Sequence, residues 1–390
     1  MSDFKTKMNA SLKKQFKTFD IYKKICGKCG ISTSKDIERA VESADWAALP
    51  AISDRLFKRS AGFFAKLKYN VPGLWHVSSS TSGDPSYVWR TEQDEKIILE
   101  AYLSCYRKPK QMMDLALGFA PGIGMLEGMS RRFDLGDGTK VKMQTILPTI
   151  AAESSTKKNI EMIKVAAGPP GPRPALEINT KELIAGLSKA AAENLAILFG
   201  ASVIFIDQVL RSGAPLPNAK DVYIITGGGG WDGSKGAMQA KPIDRAAFVE
   251  NACKILGIPK QEADKRIWDN YGVTEKAFSC IGHWDSGRKD YIYSTDNLQP
   301  ESKVIALDLQ TGELVKSGRG IIRIISPHGN EGAATAVMQE SDEINVVSTN
   351  QDGSVKEFMN IKRIPMKNID GVETADKIGC AGHLGNVEIK

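Results

Sequence analysis

The sequence predicts an α/β protein in which a large N-terminal body is followed by a β-rich later lobe. Helical spacing of apolar residues fills residues 1–70, helix and strand patterns alternate through residues 71–300, and hairpin patterns dominate residues 301–390. At 390 residues the chain can bury a large core in more than one lobe. We therefore predict three domains: a helical N-terminal segment, an α/β core, and a β-rich lobe with a short C-terminal tail.

The first two segments combine helices with buried strands. Apolar residues recur at every third or fourth position in IERAVESADWAALPAISDRLFKRSAGFFAKL, which predicts helices across residues 37–67. A further helix is predicted over TEQDEKIILEAYLSCYRK, and buried strands are predicted in QMMDLALGFAP and KDVYIITGGGG. The apolar stretch LAILFGASVIFI fits a buried helix or strand.

The last segment shows strand pairs separated by turn residues. KVIALDLQTGELVKSGRGIIRIIS predicts strand, turn and strand, and INVVSTNQDGSVKEF predicts a second hairpin. Alternating helices and strands followed by hairpins are typical of an α/β body with a smaller β-rich lobe.

The composition limits the class of protein. Hydrophobic residues are 42%, charged residues are 25% and the net charge is +6, as in ordinary globular proteins. The basic run KTKMNASLKKQFKTFDIYKK has no aromatic-basic module after it, so we expect no nucleic-acid partner. The longest apolar stretch is shorter than the about 20 residues that span a bilayer, and the N-terminal residues lack the apolar region typical of a secretion signal. We therefore expect a cytoplasmic protein with no membrane span.

The stretch SSSTSGDPS, residues 78–86, contains six hydroxyls and a glycine. Backbone N–H groups and hydroxyls in such a turn suit the oxygens of phosphate, although serine-rich turns are often plain turns. The two standard phosphate motifs do not fit elsewhere in the chain. GGGGWDGSK has Ser234 at the position where a P-loop requires lysine, and GIGMLEG has one residue too many for a dinucleotide fingerprint. A phosphate-binding loop and a plain turn both remain open at this point.

Two further motifs, together with this stretch, resemble a known superfamily. GGGGW occupies residues 227–231 and YGVTE occupies residues 271–275. In combination the three stretches resemble the adenylate-forming superfamily, which makes acyl-AMP from a carboxylate and ATP. The chain looks closest to the acyl-protein synthetase branch, the luciferin-component ligases of the bacterial fatty acid reductase system, whose members have a Gly-Cys-Ala near the C-terminus. Here that tripeptide lies in IGCAGH around Cys380, and the resemblance runs from about residue 70 onwards.

The resemblance implies a role for each matching residue. Tyr271 is implied to pack near the adenine, Thr274 to contact the α-phosphate, Glu275 to bind Mg²⁺ and Asp342 to accept from the ribose hydroxyls. The β- and γ-phosphates are implied to be held by Ser79, Thr81, Ser82 and Gly83. The remaining implied nucleotide-binding residues are Gly228, Gly229, Gly230, Trp231 and Gly272. ATP and Mg²⁺ are therefore the expected cofactors.

The chain departs from the family pattern in the loop and towards its C-terminus. Ser80 stands where the family usually has glycine, and Ser86 stands where it usually has lysine. The resemblance also predicts that the mobile C-terminal domain, whose lysine bridges the acyl-adenylate, is truncated here. Cys380 is the candidate replacement: its thiolate would attack the acyl carbonyl, release AMP and form a thioester, with His383 as base.

Three functions stay open. The first is an acyl-protein synthetase that activates a carboxylic acid and passes the acyl group through Cys380 to a partner protein such as a reductase. The second is an AMP-forming ligase that joins a fatty or aromatic acid to CoA or an amine. The third is a catalytically silent member that only binds nucleotide or a protein partner.

Overall fold

A computed structural model describes residues 3–58, 61–77, 86–106, 115–118, 142–145, 197–201, 203–211, 222–227, 229–235, 238–296, 298 and 300–364. Its α-helices are α1 Asp3–Thr18, α2 Asp20–Lys28, α3 Ser34–Glu42, α4 Glu92–Tyr106, α5 Val203–Arg211 and α6 Arg245–Leu256. Short 3₁₀ helices cover Asp54–Phe57, Phe64–Leu67 and Lys260–Lys265. No helix among these residues has the length and apolar character needed to cross a membrane.

The strands of the first half are β1 Ile52–Ser53, β2 Leu74–Val77, β3 Tyr87–Arg90, β4 Leu115–Gly118, β5 Lys142–Thr145, β6 Ile197–Ala201 and β7 Val222–Gly227. Those of the second half are β8 Ser234–Lys235, β9 Met238–Gln239, β10 Ile267–Gly272, β11 Ser279–Asp285, β12 Asp290–Ser294, β13 Lys303–Leu307, β14 Gly318–Ile325, β15 Val337–Thr349 and β16 Val355–Arg363. The strands and helices together confirm the predicted mixed α/β class.

One mixed sheet organises the described residues. Its strand order is β13-β14-β15-β16-β12-β11-β10-β7-β6-β4-β5, and β1 adds to β15 in parallel. Strands β4, β5, β6, β7 and β10 pair in parallel, whereas the remaining strands from β11 to β16 pair antiparallel. Because β12 pairs with β16, with Tyr293 opposite Phe358, the late hairpins continue the sheet of the preceding segment.

The elements form where local signals favour them. Thr33 and Asp36 form a reciprocal capping box that starts α3, and the Asp244 carboxylate accepts from the Ala247 amide to start α6. The predicted helix over TEQDEKIILEAYLSCYRK is confirmed as α4, and both predicted late hairpins form. The helices predicted across residues 37–67 form only in part: α3 ends at Glu42, just before Ala44 takes a left-handed φ of +56°, and only short 3₁₀ helices follow among the described residues of that stretch.

Two hydrophobic cores lie on opposite faces of the antiparallel strands. Val304 and Ala306 of β13 point into the core that α5 and α6 cover. Ile305 and Leu307 point into the core that contains the N-terminal helices. Successive side chains of a strand face opposite sides, so one strand serves both cores. Residues 3–57 therefore cover a sheet face that would otherwise be exposed to water.

Candidate functional site

Tyr271, at the end of β10, faces the strands of the late hairpin. Its ring packs edge-on to Phe278 and Phe358, each with ring centroids 6.1 Å apart, and only 8% of the residue is exposed. Its hydroxyl donates to Oδ2 of Asp342 at 2.8 Å. The structure thus brings together two of the residues singled out in the sequence, which lie 71 positions apart.

Asp342 has a partner on each carboxylate oxygen. Nη1 of Arg363 lies 3.2 Å from Oδ1, opposite the tyrosine contact, and Nη2 of the same guanidinium lies 2.8 Å from Oδ2 of Asp54. The neighbouring Glu343 lies on the other side of β15, with Oε1 3.8 Å from Nε of Arg319. Of these two neighbouring acids, Asp342 is the one that contacts Tyr271.

Arg90 ties the β2–β3 hairpin to the loop that contains Thr274 and Glu275. It ends β3 and is fully buried, with its guanidinium donating to the backbone carbonyls of Thr274 at 3.1 Å, Glu275 at 2.7 Å and Gly329 at 2.7 Å. Burial lowers its pKa, although Asp94 and Glu275 oppose that shift. The hairpin that brackets the hydroxyl-rich stretch is thereby fixed against the YGVTE motif.

Residues 326–335 contact both the residue after the YGVTE motif and the start of α4. The ammonium of the buried Lys276 donates to the carbonyls of Ser326 and His328 and to Oδ1 of Asn330, at 2.8, 3.1 and 2.8 Å. Asp94 accepts from the backbone amide of Gly332 at 2.7 Å. A Cβ at Gly332 would lie 2.4 Å from the Trp89 carbonyl oxygen, so only glycine permits this close approach.

A second buried acid, Asp269, holds the start of the GGGGW segment. It accepts from the Thr226 hydroxyl at 2.5 Å, from the Trp231 indole N–H at 3.4 Å and from the Tyr293 hydroxyl. Trp231 itself is 9% exposed and packs with the guanidinium of Arg245 5.0 Å from its ring centroid. Gly229 and Gly230 follow β7 with φ of +75° and +101°, a backbone shape that favours glycine.

The acidic groups around Arg363 set the electrostatics of the site. Burial opposes the charge of Arg363, but Asp342 and Asp54 outweigh that effect and raise its pKa. Burial, then the charges of Glu275, Asp54 and Asp342, raise the pKa of Glu340 well above its usual range. The cluster therefore holds fewer negative charges than its carboxyl groups suggest.

Glu275 supplies the carboxylate that its motif assigns to the metal. The residue is 6% exposed, and its charge opposes the lowering of the pKa of Arg90 and raises the pKa of Arg363. Mg²⁺ usually takes one or two carboxylates together with substrate phosphates. Within the described part of the chain no group of three or more His, Cys, Asp or Glu is arranged to hold a metal ion.

Several predicted site residues lie outside the described residues. They are Ser79, Thr81, Ser82, Gly83, Gly228, Cys380 and His383. Sequence reasoning missed Arg90, Asp94, Asp269, Arg363 and Asp54. Each is a lone charged residue without a surrounding motif, and its contacts became visible only in the fold.

Comparisons with known proteins come from solved structures alone. No protein family model matches the chain, and no curated protein matches it. It is similar to the inhibitor-bound N-terminal domain of FACL13 from Mycobacterium tuberculosis, with a TM-score of 0.43, 16% identity and coverage of 77% of this chain and 63% of that one. It is also similar to apo MatB from Rhodopseudomonas palustris, with a TM-score of 0.42, 12% identity and coverage of 75% and 48%.

A third solved structure is o-succinylbenzoate coenzyme A synthetase from Bacillus subtilis in complex with ATP and magnesium. The TM-score is 0.41 and the identity 13%, with coverage of 74% of this chain and 49% of that one. The chain thus spans about half the length of two of these structures and 63% of the third.

Proposed function

We propose that this chain activates a carboxylic acid with ATP, forming acyl-AMP and releasing pyrophosphate. The observation that carries the proposal is the contact of Arg90 with the carbonyls of Thr274 and Glu275. It fixes the strand that follows the hydroxyl-rich stretch against a motif 185 residues away in sequence. The strand that follows one of the motif-like stretches in sequence thus contacts the YGVTE motif directly.

Asp342 has the capacity that ribose binding requires. A carboxylate accepts about four hydrogen bonds, and the Tyr271 hydroxyl and the Arg363 guanidinium use two of them. Two lone pairs therefore remain for the two ribose hydroxyls. In this proposal Tyr271 orients the carboxylate and lines the adenine side of the site, together with Gly272 and the Gly228–Trp231 segment.

The phosphate roles in this proposal follow from the motifs. Ser79, Thr81, Ser82 and Gly83 hold the β- and γ-phosphates, and Thr274 contacts the α-phosphate. Glu275 would hold the Mg²⁺ that accompanies ATP, and the cation would neutralise charge on the phosphate oxygens. Arg90 contacts no substrate in this proposal, since its Nη1 and Nη2 groups donate to backbone carbonyls.

The reaction needs alignment more than covalent chemistry. A carboxylate oxygen of the acid attacks the α-phosphorus, the bond from that phosphorus to the bridging oxygen breaks, and its electron pair leaves with pyrophosphate. The protein contributes by holding the acid, the ribose and the phosphates in line and by stabilising the charge that develops.

The acceptor of the acyl group is the finer part of the proposal. The Cys380 thiolate attacks the acyl carbonyl, AMP leaves, and a thioester forms that is handed to a partner protein, with His383 taking the thiol proton. The alternative acceptors are CoA or an amine, and the acid is fatty or aromatic. Only the resemblance of IGCAGH supports the cysteine route.

Carboxylate-dependent ATP–pyrophosphate exchange tests the proposal, with a panel of fatty and aromatic acids. Glu275→Gln keeps the shape of the side chain but removes the charge that holds the cation, so exchange should fall by about 100-fold or more. Glu313→Gln, in an exposed turn, is the matched control and should retain the wild-type exchange rate.

The outcomes separate the three functions. Cys380→Ser should retain exchange and lose only a labelled acyl-enzyme, whereas retention of the labelled acyl-enzyme by Cys380→Ser would exclude the cysteine route. A preparation that binds ATP but exchanges pyrophosphate with none of the acids would contradict the activation reaction and favour the silent nucleotide-binding member.

A further inference from the structure

The N-terminal segment reaches the candidate site through Asp54. Strand β1 pairs in parallel with β15, with Ile52 opposite Met338, and the next turn begins at Asp54. Asp54 is fully buried, and Oδ1 accepts from the Ser341 hydroxyl at 2.8 Å. Its other oxygen, Oδ2, lies 2.8 Å from Nη2 of Arg363. A residue from the first segment thus contacts both late strands beside Asp342.

Asp54 divides the donors of one guanidinium between two carboxylates. Nη2 of Arg363 is directed to Asp54, and only Nη1 contacts Asp342, at the longer distance of 3.2 Å. Arginine and a lone carboxylate prefer a bidentate contact that uses both nitrogens. Without the charge of Asp54, both donors would turn to Asp342 and occupy the lone pairs that now remain.

The buried residues around Arg363 make it costly to change how its guanidinium is shared between Asp54 and Asp342. Glu340 on β15 is 2% exposed, and its Oε1 has no hydrogen-bond partner among the described residues. Oε1 of Glu340 is thus a buried polar atom beside a guanidinium that two carboxylates share, and removing one of those carboxylates redistributes the remaining contacts. The arrangement has the features of a preorganised polar site rather than a plain structural ion pair.

We propose that Asp54 is a positioning residue of the nucleotide site, which keeps Arg363 from closing over Asp342 and so lets Asp342 recognise the ribose hydroxyls. The inference rests on the proposed function in one respect, the assignment of Asp342 to ribose. It makes residues 3–57 part of nucleotide recognition, although the resemblance that suggests the function begins after them.

The test compares binding of ATP and 2′-deoxy-ATP by calorimetry in wild type and Asp54→Asn. A hydrogen bond from a ribose hydroxyl to a charged carboxylate should let wild type prefer ATP by about tenfold or more. In Asp54→Asn the preference should fall to about threefold or less, mainly through weaker binding of ATP. Loss of structure alone would weaken both nucleotides equally and leave their ratio unchanged.

Asp352→Asn is the matched control, since it weakens the attachment of the N-terminal segment at a different point. Asp352 accepts from the Trp46 indole at 3.2 Å and from the Lys303 ammonium at 2.7 Å. This variant should keep the wild-type ratio. If Asp54→Asn does not fold, Ser341→Ala removes the hydroxyl that fixes Asp54, and its ratio should fall between those of wild type and unity.

The failures can be told apart. A wild-type ratio in Asp54→Asn, or equal changes in Asp54→Asn and Asp352→Asn, would overturn the positioning role. Wild type that binds ATP without exchanging pyrophosphate would refute the reaction, while the binding ratio would still decide the role of Asp54. Wild type that binds neither nucleotide would overturn both proposals.

Discussion

Acids in this fold have different roles according to what donates to them. Asp342 shares one arginine with Asp54, and Asp269 accepts from two hydroxyls and an indole N–H. Asp352, at the tip of the β15–β16 hairpin, instead pairs with an ammonium and stays partly exposed. The first two groups of contacts are buried, where a charge without a partner is costly. The pair made by Asp352 is partly exposed, so its carboxylate can take up a proton as the pH falls.

Asp352 should make stability depend on pH. Burial raises its pKa, but hydrogen bonds from Lys303 and Ser354 outweigh burial and lower the pKa from 3.8 to about 2. The folded state therefore binds this proton less readily than the unfolded chain, so the contribution is present above pH 4 and is lost as the pH falls towards 2. Because the side chain is 27% exposed, water screens the pair and we expect about 1 kcal/mol.

Urea unfolding of wild type and Asp352→Asn checks this expectation. The difference in the free energy of unfolding should be largest at pH 5 and should shrink as the pH is lowered to about 3. A difference that is the same at both pH values would mean that the asparagine changes packing rather than charge.

At the scale of elements, the β2–β3 hairpin and the β10–β11 loop act as one unit because a single side chain joins them. Arg90 supplies three hydrogen bonds to carbonyls on two different loops. Lysine carries the same charge on a flexible stem, but it lacks the planar fork that reaches several acceptors. The position of the β2–β3 hairpin should therefore depend strongly on the identity of the residue at position 90.

Arg90→Lys should therefore destabilise the fold and weaken exchange. Leaving buried backbone carbonyls without their donors should cost about 3 kcal/mol in the free energy of unfolding. Arg211→Lys is the matched control, because the Arg211 side chain is 68% exposed and, in the described part of the chain, pairs with Asp207 on its own helix, so it should cost less than about 0.5 kcal/mol. Equal effects of the two substitutions in urea unfolding would show that the three carbonyl contacts add nothing.

The elements themselves were largely predictable, whereas their contacts were not. Alternating and continuous apolar runs predicted β7, β13, β14 and the β15–β16 hairpin, because strand periodicity is a local property. Tyr271 and Asp342 could be singled out from motifs. Their contact through Arg363 to Asp54 joins residues 309 positions apart, and the register of β1 against β15 decides it. No local pattern contains that information.

At the scale of the whole molecule, the N-terminal helices are built into the sheet. Met8 and Leu12 of α1 are fully buried in the same core as Ile305 and Ile325, which belong to β13 and β14. The helices were predicted from spacing, but the sequence alone could not reveal which sheet face they cover. A core shared by residues so far apart should unfold cooperatively.

Leucine truncation tests that cooperativity. Leu12→Ala should cost about 2–5 kcal/mol, because it removes buried methyl groups and leaves a cavity between α1 and the sheet. Leu309→Ala is the same change at a residue that is 64% exposed, and it should cost less than about 0.5 kcal/mol. In Leu12→Ala, urea unfolding followed by far-ultraviolet circular dichroism and by tryptophan fluorescence should shift as one coincident transition. Two separated transitions, with only the helical signal moved, would show that residues 3–57 unfold independently and that the shared core adds little to the sheet.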